Sequence, residues 1–189
     1  PVKSFVEFVK LTRAKPGAVI YASGGTGTAT FLAAELFKAQ AGVDMMHVPY
    51  KAGAEALAST VGGETAVHFA PLATGLPQIR ANRVRALAVT SAQRLSLLPD
   101  YPTIAELGYR GYEFGNWYGL MVPAKTSREV IATIHNAAVS ILKNPTVSRR
   151  LADLGYVPVG DQPEEFGAYI KSEIAKLAKI IKALNLKGE

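Results

Sequence analysis

Ala18-Val19-Ile20-Tyr21-Ala22 is a short apolar, β-branched and aromatic run, and a glycine-rich turn follows it. Phe31, Leu32, Leu36 and Phe37 then recur at helical spacing up to Gly42. The same strand, turn and helix unit recurs three more times, each time more weakly. Residues 45–48 give a second strand and Pro49-Tyr50-Lys51-Ala52-Gly53 its turn, with a helix ending near Gly62-Gly63. Residues 65–69 give a third strand, followed by Ala70-Pro71 and a short helix carrying Leu72, Leu76 and Ile79. Residues 84–89, apolar but for Arg85, give a fourth. Short apolar strands alternating with helices imply βαβ crossovers and a mainly parallel sheet with both faces covered. The first 90 residues therefore read as an open α/β lobe.

The flanking segments carry different signals. Ser4-Phe5-Val6-Glu7 is a capping box, which starts a helix over about 5–14 that Pro16-Gly17 stops. From Ser91 to Tyr112 the pattern lapses into a long connection with a brief helical segment over 103–107. Residues 114–122 read as a strand, and helices are predicted over about 127–142, 145–154 and 163–184. Only Val157-Pro158-Val159 lies between them as another strand candidate. Stripes such as Ile131, Ile134, Val139 and Leu142, or Ile170, Ile174, Leu177 and Ile181, need a surface to cover, and one strand cannot hide three such faces. The chain is therefore expected to hold a first lobe over 1–112 and part of a second over 113–189. The strand over 117–122 should keep an unpaired edge, or pair with residues upstream of this chain or with another copy.

Composition narrows the function. At 189 residues, with 49% apolar and 19% charged, the chain is long enough for a sizeable core and too apolar for long disorder. The net charge of +6 is spread along the chain. Lys171, Lys176, Lys179, Lys182 and Lys187 crowd the last helix, but Glu173 interrupts them and no zinc-finger or RNP motif accompanies them, so no nucleic-acid partner is expected. No run of about 18 apolar residues exists to insert in a bilayer. Zero Cys excludes disulfides, thiolate metal sites and a Cys nucleophile. The opening Pro1-Val2-Lys3-Ser4-Phe5 lacks a signal segment, so any targeting sequence is expected upstream.

Chemistry concentrates in Ser23-Gly24-Gly25-Thr26-Gly27-Thr28. This turn leaves a strand and opens a helix, where backbone N–H groups and the helix dipole make an anion site, and the hydroxyls of Ser23, Thr26 and Thr28 add donors. The plainer alternative is a tight turn with Thr28 as an ordinary N-cap. Neither nucleotide-binding glycine motif is present and no Lys reaches a terminal phosphate, so a small carboxylate fits better. Tyr50, with Lys51, follows the second strand at the same sheet edge, and Trp117, with Asn116 and Tyr118, is a further wall candidate; core packing and a solvated charge are the plain alternatives for Trp117 and Lys51. His47 and His68 sit in apolar strands and read as satisfied core residues, and His135 as helical packing. No nucleophile, metal-ligand set, cofactor motif or carboxylate pair emerges, so no catalytic residue is assigned.

The ordered series from Tyr21 to Thr28, then Leu32-Ala33-Ala34-Glu35-Leu36-Phe37, His47-Val48-Pro49-Tyr50-Lys51, Arg85 to Ser91, Pro102-Thr103-Ile104-Ala105-Glu106 and Trp117-Tyr118-Gly119-Leu120, closely resembles the Bug receptors. These are the periplasmic solute-binding proteins of tripartite tricarboxylate transporters. The resemblance implies an α/β, periplasmic-binding-protein-like (type II) Venus flytrap. This chain would supply one complete parallel-sheet lobe and the C-terminal part of the other, the later two-thirds of a member. It further implies a non-enzymatic receptor that closes on a small organic carboxylate, often through ordered water, and delivers it to membrane subunits of the transporter. Family members often carry Asp where Ala70 follows Phe69, so a ligand without an amino group is expected if that Asp reads one. An α/β enzyme acting on a small anionic metabolite, or a module whose partner is another protein, remains the alternative.

Overall fold

The computed structural model describes residues 2–183 and 185. Its elements run α1 (Phe5–Ala14), β1 (Ile20–Ser23), α2 (Ala29–Ala41), β2 (Met46–Pro49), α3 (Gly53–Gly62), β3 (Val67–His68), α4 (Leu72–Arg80), α5 (Arg128–Lys143), α6 (Pro145–Asp153) and α7 (Pro163–Ala183). The chain divides into two compact units, one up to Asn116 and one from Trp117 onward.

The first unit is built on a three-stranded parallel sheet in the order β2-β1-β3, with Tyr21 opposite both His47 and Val67, and Ala22 opposite His68. The chain first adds β2 on one side of β1 and then crosses back to place β3 on the other. Right-handed crossovers put α2 and α3 on opposite faces of such a sheet. Side chains agree: Tyr21 on β1 donates its hydroxyl to Glu35 of α2, while Tyr50, beyond β2, donates to Ser59 of α3. On the α2 face, Phe5 and Phe8 of α1 pack with Phe37, Phe69, Tyr109 and Tyr112 in an aromatic core. Tyr112 is buried and donates its hydroxyl to the Ala33 carbonyl at 2.9 Å, which ties the long connection to α2.

Half of the capping box at α1 forms: Ser4 Oγ accepts the Glu7 N–H at 3.2 Å, whereas the Glu7 carboxylate takes the N–H of Lys3, one residue before the cap. Four predicted elements differ. The fourth strand, 84–89, is absent from the sheet; only Val89 bridges, to Thr103, because β3 is two residues long and offers almost no edge to pair with. Arg85, in the middle of that run, instead sends its guanidinium to the Val2 carbonyl. The helix over 103–107 is a single turn, held by reciprocal bonds between Thr103 and Glu106 and ended at Gly108 with φ +106°. Residues 114–122 and 157–159 are irregular, with no ladder partner among the described residues.

The second unit consists of α5, α6, α7 and the segment that precedes them. Trp117 packs edge-on to Phe166 and Tyr169 of α7, and Gly119 passes so close to the Phe166 ring that a side chain there would collide with it.

Candidate functional site

In open α/β sheets a crevice forms beyond the carboxyl ends of neighbouring strands whose following helices lie on opposite faces. Here those strands are β1 and β3: α2 follows β1 on one face, and α4, which packs with α3, follows β3 on the other. The turn Ser23 to Thr28 leaves β1 at that edge, and Phe69, Ala70 and Pro71 leave β3 beside it.

The turn is shaped from within. Gly24 lies against the start of α3, where a Cβ would stand 3.1 Å from the Gly53 nitrogen, so the loop and α3 approach backbone to backbone. Gly25 and Gly27 take φ of +112° and +80°, which side-chain-bearing residues rarely adopt. Ser23 is wholly buried; its Oγ accepts the Gly25 N–H at 3.1 Å and lies 2.6 Å from His47 Nε2. The Gly24 N–H donates to Thr30 Oγ1 at 3.0 Å. Thr28 donates its hydroxyl to the Gly25 carbonyl at 2.7 Å and makes no capping bond to α2.

What is left open is informative. Among the described residues, the N–H groups of Thr26 and Gly27 and those of the first α2 turn, Ala29, Thr30 and Phe31, find no protein acceptor. Thr26 and Gly27 are exposed. Of the three hydroxyls expected to serve as donors, that of Ser23 is held between His47 and the Gly25 carbonyl, that of Thr28 by the Gly25 carbonyl, and that of Thr26 meets no protein partner among the described residues. The open N–H groups and the positive end of the α2 dipole face the same way, a geometry that can hold an anion without cationic side chains.

The other candidates take different places. The Tyr50 carbonyl would lie 3.5 Å from a Cβ at Gly25, and the Tyr50 N–H donates to the Ser23 carbonyl at 2.9 Å, so Tyr50 forms the wall of the turn while its hydroxyl is held by Ser59 at 2.6 Å. Ala70 is half-buried at the end of β3, close to Gly75 of α4. Trp117 stands in the second unit, in the aromatic contacts with α7.

Two histidines at this edge, expected to be satisfied core residues, are half-buried, and one keeps a ring nitrogen without a partner among the described residues. Burial, helped by Lys38 and opposed by Glu35, holds the His47 imidazole below its ordinary range. Burial does the same to His68, whose Nδ1 lies 2.9 Å from the Ala22 carbonyl and must carry the proton of that bond; its Nε2 has no partner among the described residues. Tyr21, buried and bonded to Glu35, is pushed well above the usual tyrosine range, chiefly by burial. His47's tie to Ser23 was the part that sequence reasoning missed. Its only trace was parity: Tyr21 and Ser23 share one face of β1, and His47 is the apolar-flanked residue of β2 that pairs with Tyr21. Among the described residues no group of three or more His, Asp or Glu is placed to hold a metal ion, and no helix is long and apolar enough to cross a membrane.

A parallel α/β lobe with unpartnered backbone donors at the carboxyl edge of its sheet is the build of a periplasmic-binding-protein fold. Residues 1–186 match the tripartite tricarboxylate transporter family receptors, TctC, and the chain belongs to that family. Three solved structures share the fold. R. palustris Rpa4515 with adipate is 30% identical, with a TM-score of 0.93 over 98% of this chain and 62% of that one. The periplasmic binding protein BugD is 26% identical, with a TM-score of 0.88 over 100% of this chain and 64% of that one. MatC (Rpa3494) from Rhodopseudomonas palustris with bound malate is 25% identical, with a TM-score of 0.82 over 96% and 63%. The chain spans about half the length of most of the curated relatives it matches.

Proposed function

We propose that this chain is the larger part of an extracytoplasmic solute receptor, which captures a small organic carboxylate between two lobes and delivers it to the membrane subunits of a tripartite tricarboxylate-type transporter. In this reading residues 1–112 are the ligand-binding lobe and 113–189 belong to the other. The protein works in the periplasm. It binds and releases its ligand without turning it over.

The observation that carries this reading is the set of N–H groups at Thr26, Gly27 and the start of α2 that no protein acceptor takes, at the sheet edge where such folds hold ligands. One carboxylate oxygen would sit on these groups, with the Thr26 hydroxyl as a side-chain donor and the remaining residues from Ser23 to Thr28 holding the turn. Tyr50 and Ala70 complete the proposed ligand-binding set of this unit, and Trp117 is the proposed contact from the second. Ala70 offers no charge to an amino group, which favours ligands without one. Adipate and malate, bound by the two receptors above, support the carboxylate class and not a particular member of it.

The test is calorimetry of the protein against mono-, di- and tricarboxylates, with ATP and NAD as controls. Saturable binding of at least one carboxylate without chemical change, and no response to nucleotides, is the expected result. Conversion of the bound carboxylate would favour an enzyme, and a response to ATP or NAD with none to any carboxylate would overturn the receptor reading.

A further inference from the structure

His47 lies outside the turn, in β2, yet its imidazole is built into it. Parallel pairing sets Tyr21 opposite His47, so Ser23, two residues on and on the same face, comes within reach. The ring is held on both sides, stacked on Tyr21 with centroids 4.8 Å apart at 21° and tilted against Phe31 of α2 at 4.8 Å. Three elements thus fix one nitrogen, Nε2, at 2.6 Å from Ser23 Oγ.

Ser23 Oγ stands at the centre of three contacts. Ser23 Oγ has one proton to give, and it already accepts the Gly25 N–H at 3.1 Å. Its proton has two possible acceptors, His47 Nε2 at 2.6 Å and the Gly25 carbonyl at 3.3 Å, and that carbonyl is already taken by the Thr28 hydroxyl at 2.7 Å. The 2.6 Å contact to Nε2 is the shortest that Ser23 Oγ makes, and it fixes the oxygen whichever of the two atoms donates. A relay results: His47 orients the Ser23 hydroxyl, the hydroxyl oxygen draws the Gly25 N–H inward, and the next two N–H groups, of Thr26 and Gly27, are left without protein acceptors.

We infer that His47 is a positioning residue for the anion turn, acting through Ser23 to hold Gly25 in the conformation that presents the Thr26 and Gly27 N–H groups to a carboxylate. The inference rests on the anion-site reading above. A ring that merely filled space between Tyr21 and Phe31 would do as well as phenylalanine.

The experiment therefore compares His47→Phe, which keeps the stacking and removes Nε2, with His47→Gln, whose amide reaches to the same position, and with Ser23→Ala and the His47→Phe/Ser23→Ala double variant, all in the full chain. Adipate is the probe. His47→Phe and Ser23→Ala should each weaken its binding about tenfold, the double variant no further than the worse single, and His47→Gln should recover to within about threefold of the parent. Parent-like affinity in His47→Phe, or losses that multiply in the double variant, would overturn the inference. Amide hydrogen exchange at Gly25, followed by NMR without ligand, reads the relay by itself. It should speed up equally in His47→Phe and Ser23→Ala and recover in His47→Gln, and unchanged exchange in His47→Phe overturns the inference whatever adipate does. If the parent chain binds neither adipate nor any other carboxylate, the anion-site reading fails, and the Gly25 exchange still decides whether His47 holds the turn.

Discussion

Three hydroxyls stand in one six-residue turn, and they do different jobs. Thr26 is exposed with no protein partner among the described residues, so Thr26→Ala should remove a donor to a charged ligand, costing about 1.5–3 kcal/mol of binding, about tenfold or more, with little change in stability. Thr28 braces the Gly25 carbonyl, so Thr28→Ala should lower both affinity and the melting temperature. Calorimetry together with thermal denaturation separates the two. Equal behaviour of both variants in both assays would contradict this division. The glycine-rich turn between a strand and a helix was legible in the sequence, because the three follow one another locally. Which hydroxyl stays open was not, since Ser23 is claimed by a histidine 24 residues away on a neighbouring strand. The histidines also make a pH prediction. Burial lowers both His47 and His68 in the folded protein, so as pH falls the unfolded chain takes up protons first, from about 6.5 downward. Protons then favour unfolding, and the urea midpoint should fall between about pH 7.5 and 5.5. A midpoint that rises toward acid would show that the rings are charged in the fold.

Helices announced themselves through local chemistry, and strands depended on partners that no local pattern supplies. Ser4 and Glu7 mark the start of α1, Gly42 and Gly63 in left-handed conformations end α2 and α3, and Asn144 caps α6 by accepting the Thr146 N–H at 3.0 Å. All of these residues are readable within a few positions of the element they bound. The runs 84–89 and 114–122 have the right composition for strands, yet a strand exists only when a neighbour offers its edge. β3 is too short to offer one, and the described residues hold no ladder partner for 114–122. Caps should accordingly behave as independent local contributions. Ser4→Ala removes the acceptor for the Glu7 N–H and should cost about 1 kcal/mol in a urea titration, with carboxylate affinity unchanged because the bond that it breaks is local to the first turn of α1. A loss of affinity in that variant would mean that α1 and the site are coupled through the aromatic core around Phe5, Phe8 and Phe37.

The core is unevenly shared along the molecule. Tyr21, Phe37, Met45 and Tyr112, among the most deeply buried side chains, all belong to the first unit. α5 and α6 bury no residue, and Tyr118, Leu120, Met121, Val157 and Val159 are each more than 65% exposed. Local stability follows buried apolar contact, so opening free energies should differ between the units by more than differences in helix content suggest. The amphipathic stripes of α5 and α7 were visible in the sequence by their spacing, whereas their exposure was not, because periodicity says which face seeks cover and nothing about whether cover is present. Amide exchange should therefore be slowest at Tyr21, Ala22 and Ser23, in the central strand, and faster by orders of magnitude across α5 and α6, where helix propensity and capping act with little burial behind them. The same exposed surface should bind a hydrophobic dye, and Leu120→Ser or Met121→Ser should reduce that signal without altering exchange in β1. Equal protection of α5 and β1 would show that the apolar faces of the second unit are covered in solution, by a second copy or by rearrangement, and the dye signal would then be absent from the parent chain as well.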